Sequence, residues 1–514
     1  MSALRKLLSF LLLLEIVFFA GQVQAESKSL MVAVQSLPPT VEPMGENTNR
    51  MARIMYSIFE TLIRQDQHTG ELKPGLAESW QRIDDRTVEF TLRQGVKFHD
   101  GSEFTAEDVV FSFGPERFSS EEAPGRVQAL QFLGIVEKVE AIEPYKVRVI
   151  TQTTDPLIEN RFASRMSEII SKKSYLDVGS WERWSQKPVG TGPYKVLNFS
   201  LNTRLELGRF DGYWDEPAPV STLAFIEVPE LSSRIAGLRS GEFDIITEVA
   251  PDQLEALSRV SGIDVVGGPV ENIYALVFDT LSNPVLNDPR IRRAILHAID
   301  RQALVDALFG GRTKTANSWQ FETYGDLFLP EFERPLYNPD LAKNLVKESG
   351  YKGEPIVWRF FTGYYTLELT VTQAIAQMLQ EAGLNVKLEI MENWDRIQAP
   401  GPERMLNNAS FTGYYQDPVG MLWRRMRPAS PWRTGKFFDM PERFDQLGTI
   451  LETTVAPNKR KEAFKEMLEI MNEDPTAVPL YFLPMFYAKR SNIDWQIGIK
   501  EFMDLSAQNL SFNQ

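Results

Sequence analysis

A chain of 514 residues with 43% hydrophobic and 24% charged residues has too much material for one hydrophobic core and divides into two or three compact units. Its formal charge of -14 excludes nucleic acid and anionic membrane as main partners, because either needs a basic field. With no cysteine, disulfides, thiolate metal sites, a cysteine nucleophile and an acyl-cysteine anchor are excluded too.

Arg5 and Lys6 precede an apolar run from Leu7 to Ala20, and Val23-Gln24-Ala25 offers a small-residue cleavage site before Glu26. Residues 1–25 therefore read as a secretory signal peptide. No comparable apolar stretch follows, so a soluble exported protein without a lipid anchor is expected, which points to a Gram-negative periplasm. Ser29 to Gln35 reads as a buried strand ended by Leu37-Pro38-Pro39, since proline cannot donate to a ladder. Met51 to Ile63 has helical spacing, with Met51, Ile54, Met55, Ile58 and Leu62 on one side. Ahead of it, Thr48, Asn49 and Arg50 can cap the helix or edge a site.

Val88, Phe90 and Leu92 alternate with polar residues as in a half-buried strand. Asp100-Gly101 supplies a turn, and Thr105 with Asp108 has capping-box form ahead of Val109, Val110 and Phe113. Gly134 to Val139 and Lys146 to Ile150 suggest a hairpin around Glu143-Pro144. The prolines and glycines of Pro188 to Tyr194 constrain a crossing loop; without a following Lys-Ser/Thr it is no phosphate cradle. Gly241 ends a helix that turns into a strand at Ile245.

A second unit starts near the short strand Tyr274 to Phe278. Asp288-Pro289 and Asp300 start helices. Strand Ile356 to Phe361, helix Leu369 to Ala382 and strand Val386 to Met391 make a β-α-β unit and a partly parallel sheet. Lys459 to Asn472 is an amphipathic helix, and Pro475 to Leu483 contains a near-continuous apolar run.

The strings Leu76-Ala77-Glu78-Ser79-Trp80, Leu92 to Gly101 and Thr105-Ala106-Glu107-Asp108-Val109 together resemble the signature of the family 5 solute-binding proteins, the extracytoplasmic receptors of ABC importers for dipeptides, oligopeptides, nickel and related ligands. Pro188 to Tyr194, Leu238 to Ile245, Asp288 to Arg301 and Tyr337 to Lys343 are similar to the family as well. The resemblance implies an α/β, two-lobed periplasmic binding protein fold with an extra subdomain in lobe I and a ligand cleft between the lobes. It implies lobe I over residues 26–270 with the inserted subdomain at about 58–187, lobe II over 271–485, and a return to lobe I over 486–514. It further implies ABC permease subunits as partners of a monomer.

No enzyme signature is present: His68, His99 and His297 are far apart, and neither H-E-x-x-H, G-x-S-x-G nor a P-loop occurs. No metal, cofactor or nucleic acid is expected. The leading site stretch is Phe411-Thr412-Gly413-Tyr414-Tyr415-Gln416-Asp417-Pro418. In peptide-binding members of the family the corresponding stretch carries an Asp that pairs with the ligand's α-ammonium, and Tyr414 stands in that place. A phenol hydrogen-bonds but brings no negative charge at neutral pH, so ordinary peptide N-termini are in question. Asp417 could substitute, although before Pro418 it also has the form of a helix N-cap.

Downstream, Arg424, Arg425, Arg427 and Arg433 fall among Trp423 and Trp432. Guanidinium forks suit carboxylate or phosphate, and tryptophan offers a face for a sugar or aliphatic chain; surface ion pairing is the alternative. Trp394, Tyr364 and Tyr365 follow strand ends, where α/β clefts form. The candidate ligand-binding residues are thus Tyr414, Phe411, Asp417, Trp423, Arg424, Arg425, Trp432, Trp394 and Arg50. The expected function is capture of a peptide or peptide-like, possibly anionic, solute. An opine or sugar-phosphate conjugate is the alternative, and a secreted hydrolase or periplasmic chaperone the readings from other classes.

Overall fold

The computed structural model describes residues 28–513 apart from 46, 47, 122 and 124. The expected signal peptide at 1–25 lies outside the described residues. Ten strands form one sheet in the order Val386–Ile390, Ile356–Phe360, Leu406–Thr412, Ile263–Phe278, Ala477–Arg490, Ile245–Ile246, Ser29–Val34, Thr222–Glu227, Arg204–Arg209, Tyr194–Ser200. The two at its middle run 16 and 14 residues. At the rise of an extended chain they reach roughly 45–55 Å, enough to serve both halves of the molecule.

These two crossing strands pair antiparallel from Ile263 opposite Arg490 to Pro269 opposite Pro484; the register then breaks and resumes at Ile273 opposite Phe482. On one side of the break the sheet continues through Ile245–Ile246 into Ser29–Val34, on the other into Leu406–Thr412. Two prolines face each other there because neither has an N–H to donate. Gly267 has φ +120, and a Cβ on it would come 2.0 Å from the Met485 carbonyl oxygen. The strand was expected only from Tyr274. Gly267-Gly268-Pro269 reads locally as a breaker, but the pairing across to Phe486, Met485 and Pro484 carries the strand through it.

Each side has its own core. Leu30, Val32, Leu223 and Phe225 pack in lobe I, and Tyr274, Ile295, Trp358 and Ile375 in lobe II. A separate four-stranded sheet, in the order Ala77–Asp84, Thr87–Leu92, Lys146–Thr151, Val136–Glu143, buries Val88, Phe90, Val147 and Val149. That core is continuous with Phe411, Tyr414 and Trp423 of lobe II. The same face is tied by Arg161 to Glu452 at 3.1 Å and by Arg427 Nη2 donating to the Gln131 carbonyl at 3.0 Å. Among the described residues no helix is long and apolar enough to cross a membrane.

Local signals mostly hold. Thr105 and Asp108 form the capping box, and Asp288 and Asp300 accept from the N–H groups of Arg290 and Ala303. The helix expected over 51–63 instead spans Asn49–Ile58. It stops where the Gly190-Thr191-Gly192 loop presses on its end: a Cβ at Gly190 would lie 2.2 Å from the Ile58 oxygen, and the Gly192 N–H donates to that oxygen at 3.0 Å. His99 holds the loop. Its Nδ1 accepts from the Gly190 N–H at 3.3 Å, and its Nε2 donates to the Gly192 carbonyl at 3.0 Å.

Burial pushes the His99 imidazole down to about 4. An unfolded histidine protonates near pH 6.5, so the folded state binds fewer protons between those values, and stability falls as pH drops through that window. About 2–3 kcal/mol should be lost between pH 6.5 and 4. Urea midpoints measured across this range should show the decline, and His99→Gln should flatten it while lowering stability at pH 7.

Candidate functional site

The loop that leaves strand Ile356–Phe360 carries Phe361, Tyr364 and Tyr365, and Trp394 starts the short helix Trp394–Gln398 that follows strand Val386–Ile390. Trp394 meets Phe361 at 5.2 Å and Tyr364 at 5.6 Å between ring centroids. Buried Glu368 anchors this loop: its Oε1 accepts from Asn408 Nδ2 at 2.9 Å and its Oε2 from the Tyr365 N–H at 3.3 Å. Burial pushes the Glu368 carboxyl up to about 7. From lobe I, Gln35 Nε2 reaches across to the Gly363 carbonyl at 3.3 Å.

Tyr364 keeps 43% of its surface exposed. Its recessed phenol is pushed up to about 12, first by desolvation and then by Glu501 and Tyr414, against the lowering charges of Arg425 and Arg50. Those four side chains come from the chain's end, from lobe II and from the first helix of lobe I.

Gly413 fixes where Tyr414 stands. Its N–H donates to the Glu271 carbonyl at 2.8 Å, its carbonyl accepts from Lys500 Nζ, and a Cβ would meet the Phe321 ring at 2.5 Å. Lys500 also pairs with Glu271 at 2.7 Å. The Tyr414 ring then packs edge-on against Phe132 at 4.5 Å, with the Arg424 guanidinium 4.5 Å from its centroid.

Arg424 is 7% exposed. Its Nε donates to the Gly420 carbonyl at 3.4 Å, Nη2 is buried without a hydrogen-bond partner, and no ion pair with a carboxylate forms among the described residues. Burial, then the neighbouring charge of Arg425, pulls its guanidinium down to about 9. Arg425 lies over Trp432 at 5.2 Å and Phe411 at 5.8 Å, donates through Nη2 to the Ser410 carbonyl at 2.8 Å, and has a buried Nε without an acceptor. Two adjacent guanidiniums resting on ring faces are a poor arrangement until an anion arrives, because desolvated charge is costly without a counter-charge.

The other expected site residues lie deeper. Phe411 is buried between Trp319 at 4.4 Å and Trp432 at 5.3 Å. Trp423 Nε1 donates to Glu452 at 2.7 Å, and its ring occupies the space a side chain at Gly448 would need. Asp417 has both oxygens engaged, Oδ1 by the Val419 N–H at 2.9 Å and Oδ2 by Arg460 at 2.8 Å. Its geometry is the N-cap its sequence suggested, and it offers no free oxygen to an ammonium. Arg50 Nη1 lies 3.5 Å from the Leu37 carbonyl. Gln35, Glu271, Lys500 and Glu501 carried no local signal; each matters only because a distant segment faces it.

The family model for bacterial extracellular solute-binding proteins, family 5 middle, matches residues 71–430. A dipeptide-binding protein of Escherichia coli is 25% identical over 463 residues, covering 85% of each chain. A glutathione-binding protein of Salmonella typhi is 23% identical over 479 residues, covering 91% of each. A periplasmic binding protein of Helicobacter pylori, solved with the peptide STSA, superposes with a TM-score of 0.82 at 22% identity, over 95% of this chain and 98% of that one.

If Arg425 faces an anionic solute, Arg425→Ala should weaken that solute by tenfold or more, because removing one partner of a desolvated charge pair costs roughly 2–5 kcal/mol. Calorimetric titration checks this; an unchanged dissociation constant would return Arg425 to a packing role.

Proposed function

The chain belongs to the bacterial extracellular solute-binding proteins of family 5, and from that premise we propose that it is the periplasmic substrate-binding component of an ABC importer that captures a peptide or peptide-like solute. The observation that carries the reading is the cluster of Phe361, Tyr364 and Trp394 rings in lobe II, to whose loop Gln35 of lobe I reaches across, in a molecule whose two crossing strands break their pairing in the middle. Such a break lets the lobes close on a ligand, and the closed form is what a permease would recognise. The binding names of the relatives support a peptide-like solute. The basic, apolar and small-residue order of residues 5–25 supports export through a cleaved signal peptide. The protein acts as a monomer and catalyses no reaction.

A second reading, an opine or sugar-phosphate conjugate, is favoured by Arg424. Among the described residues its guanidinium lacks a carboxylate partner beside the Tyr414 phenol, a setting for a ligand with more negative charge than a free-amino peptide brings. Native mass spectrometry of the purified mature protein, followed by unfolding and fragmentation of whatever is released, separates the two. Mixed peptides would establish the first reading and one defined anionic conjugate the second. Turnover of a peptide or ester panel would overturn both.

Tyr414→Asp should improve binding of free-amino peptides relative to the natural ligand, because a carboxylate there pairs with an ammonium as a phenol does not. The ratio of the two dissociation constants is the readout, and no change would place Tyr414 outside the ligand's reach.

A further inference from the structure

A cavity of about 470 Å³ opens in lobe I among the first helix, the Ile63–Gln65 and Leu72–Pro74 hairpin and the segment from Asp504 to Asn509. None of its lining residues is among those that surround Tyr364. Its volume is that of a small-molecule site. Most of its charges are already neutralised. Glu60 accepts from Arg64, Tyr213 and Trp214; Asp215 pairs with Arg64 at 2.7 Å and Asp66 with Lys73 at 2.6 Å. Arg93 lies over the Trp214 ring at 4.1 Å and 3.9 Å from Glu78.

Three carboxylates remain: Glu216, which is exposed, Glu168 and Asp504. Glu168 is 3% exposed, its Oε2 is buried without a partner, and no cation lies within ion-pair distance among the described residues. The nearest guanidiniums are turned to other acceptors, Arg117 to Glu42 at 3.0 Å and to the Glu168 backbone carbonyl at 2.8 Å and Arg165 to the Thr48 carbonyl at 3.2 Å, and each keeps one buried nitrogen without a partner. Burial pushes the Glu168 carboxyl up to about 7, against the lowering charges of those arginines. Asp504 uses one oxygen to accept the Ser506 N–H at 2.9 Å. Gln67 Nε2 donates to the Gln65 carbonyl at 3.0 Å, which leaves Oε1 buried without a donor. Among the residues that line the cavity the unmet buried groups are therefore acceptors, Gln67 Oε1 and Glu168 Oε2. A desolvated carboxylate without a donor is costly, and the partner that relieves it is a cation with N–H groups.

We propose that this cavity is a second binding site, separate from the space between the lobes, for a small organic cation whose ammonium donates to Glu168 with Asp504 as the second carboxylate. The cation's methylene chain lies along Tyr56, Met55 and Phe59, which line the same cavity. The probe is 1,4-diaminobutane, titrated calorimetrically into the mature protein, with 1,4-butanediol as the uncharged control. Saturable binding of the diamine and none of the diol is expected. Glu168→Gln should weaken the diamine by roughly tenfold or more, since it removes one partner of a desolvated charge pair. Should that variant not fold, Asp504→Asn carries the same test from the chain's terminal segment. Absence of saturable diamine binding, equal binding of the diol, or a loss smaller than tenfold in every folded variant overturns the proposal.

Discussion

The pairing of strands Ile263–Phe278 and Ala477–Arg490 is the constraint on which the rest depends. Both strands serve both halves of the sheet, and their register breaks between Pro269 and Ile273 and again between Tyr274 and Ala275. Glu271 lies inside the first break. Through it the terminal segment joins the arrangement: the Glu271 N–H donates to the Ile499 carbonyl at 2.8 Å, its carboxylate pairs with buried Lys500, and its carbonyl receives the Gly413 N–H. The register break and the position of Tyr414 are thereby one piece of backbone geometry.

Charge pairing separates what holds the fold from what awaits a partner. Arg161 is neutralised by Asp155 at 2.9 Å, Arg117 by Glu42 at 3.0 Å and Arg460 by Asp417 at 2.8 Å. Arg301 has no carboxylate, yet it donates to the carbonyls of Pro479, Ile299 and Leu296. Arg424 has a single carbonyl at 3.4 Å and two ring faces. The same contrast in opposite sign marks Glu168 against Glu60: one carboxylate meets three donors, and the other keeps a buried oxygen with none. Desolvation without full compensation is the property Arg424 and Glu168 share.

Much of the fold was legible because its signals are local. A capping box needs only Thr105 and Asp108, and the Asp417 cap needs only Val419 two residues on. The β-α-β unit around Glu368–Glu381 follows from periodicity, and its two strands are parallel neighbours. The same local logic failed at two places. It made the first helix too long, because Leu62 keeps helical spacing while the glycine loop from residues 190–192 ends the helix at Ile58. It made the first crossing strand too short, because two glycines and a proline look like a stop until another strand pairs with them. At the site, residue type pointed to Tyr414, Arg424 and Arg425 together, but also to Trp423 and Asp417, whose polar atoms are engaged by Glu452 and Arg460.

By itself, then, the sequence determined the family resemblance, the α/β alternation, the caps and the absence of thiol chemistry, since each rests on residue identity or on neighbours a few positions apart. Tertiary structure alone decided which arginines have partners, where the crossing strands break register, and that Gln35 meets Gly363 and Glu271 meets Lys500. Those outcomes depend on contacts between segments more than two hundred residues apart, such as Glu271 with Lys500 or Gln35 with Gly363. Burial and charge compensation are properties of those contacts, and no window along the chain contains them.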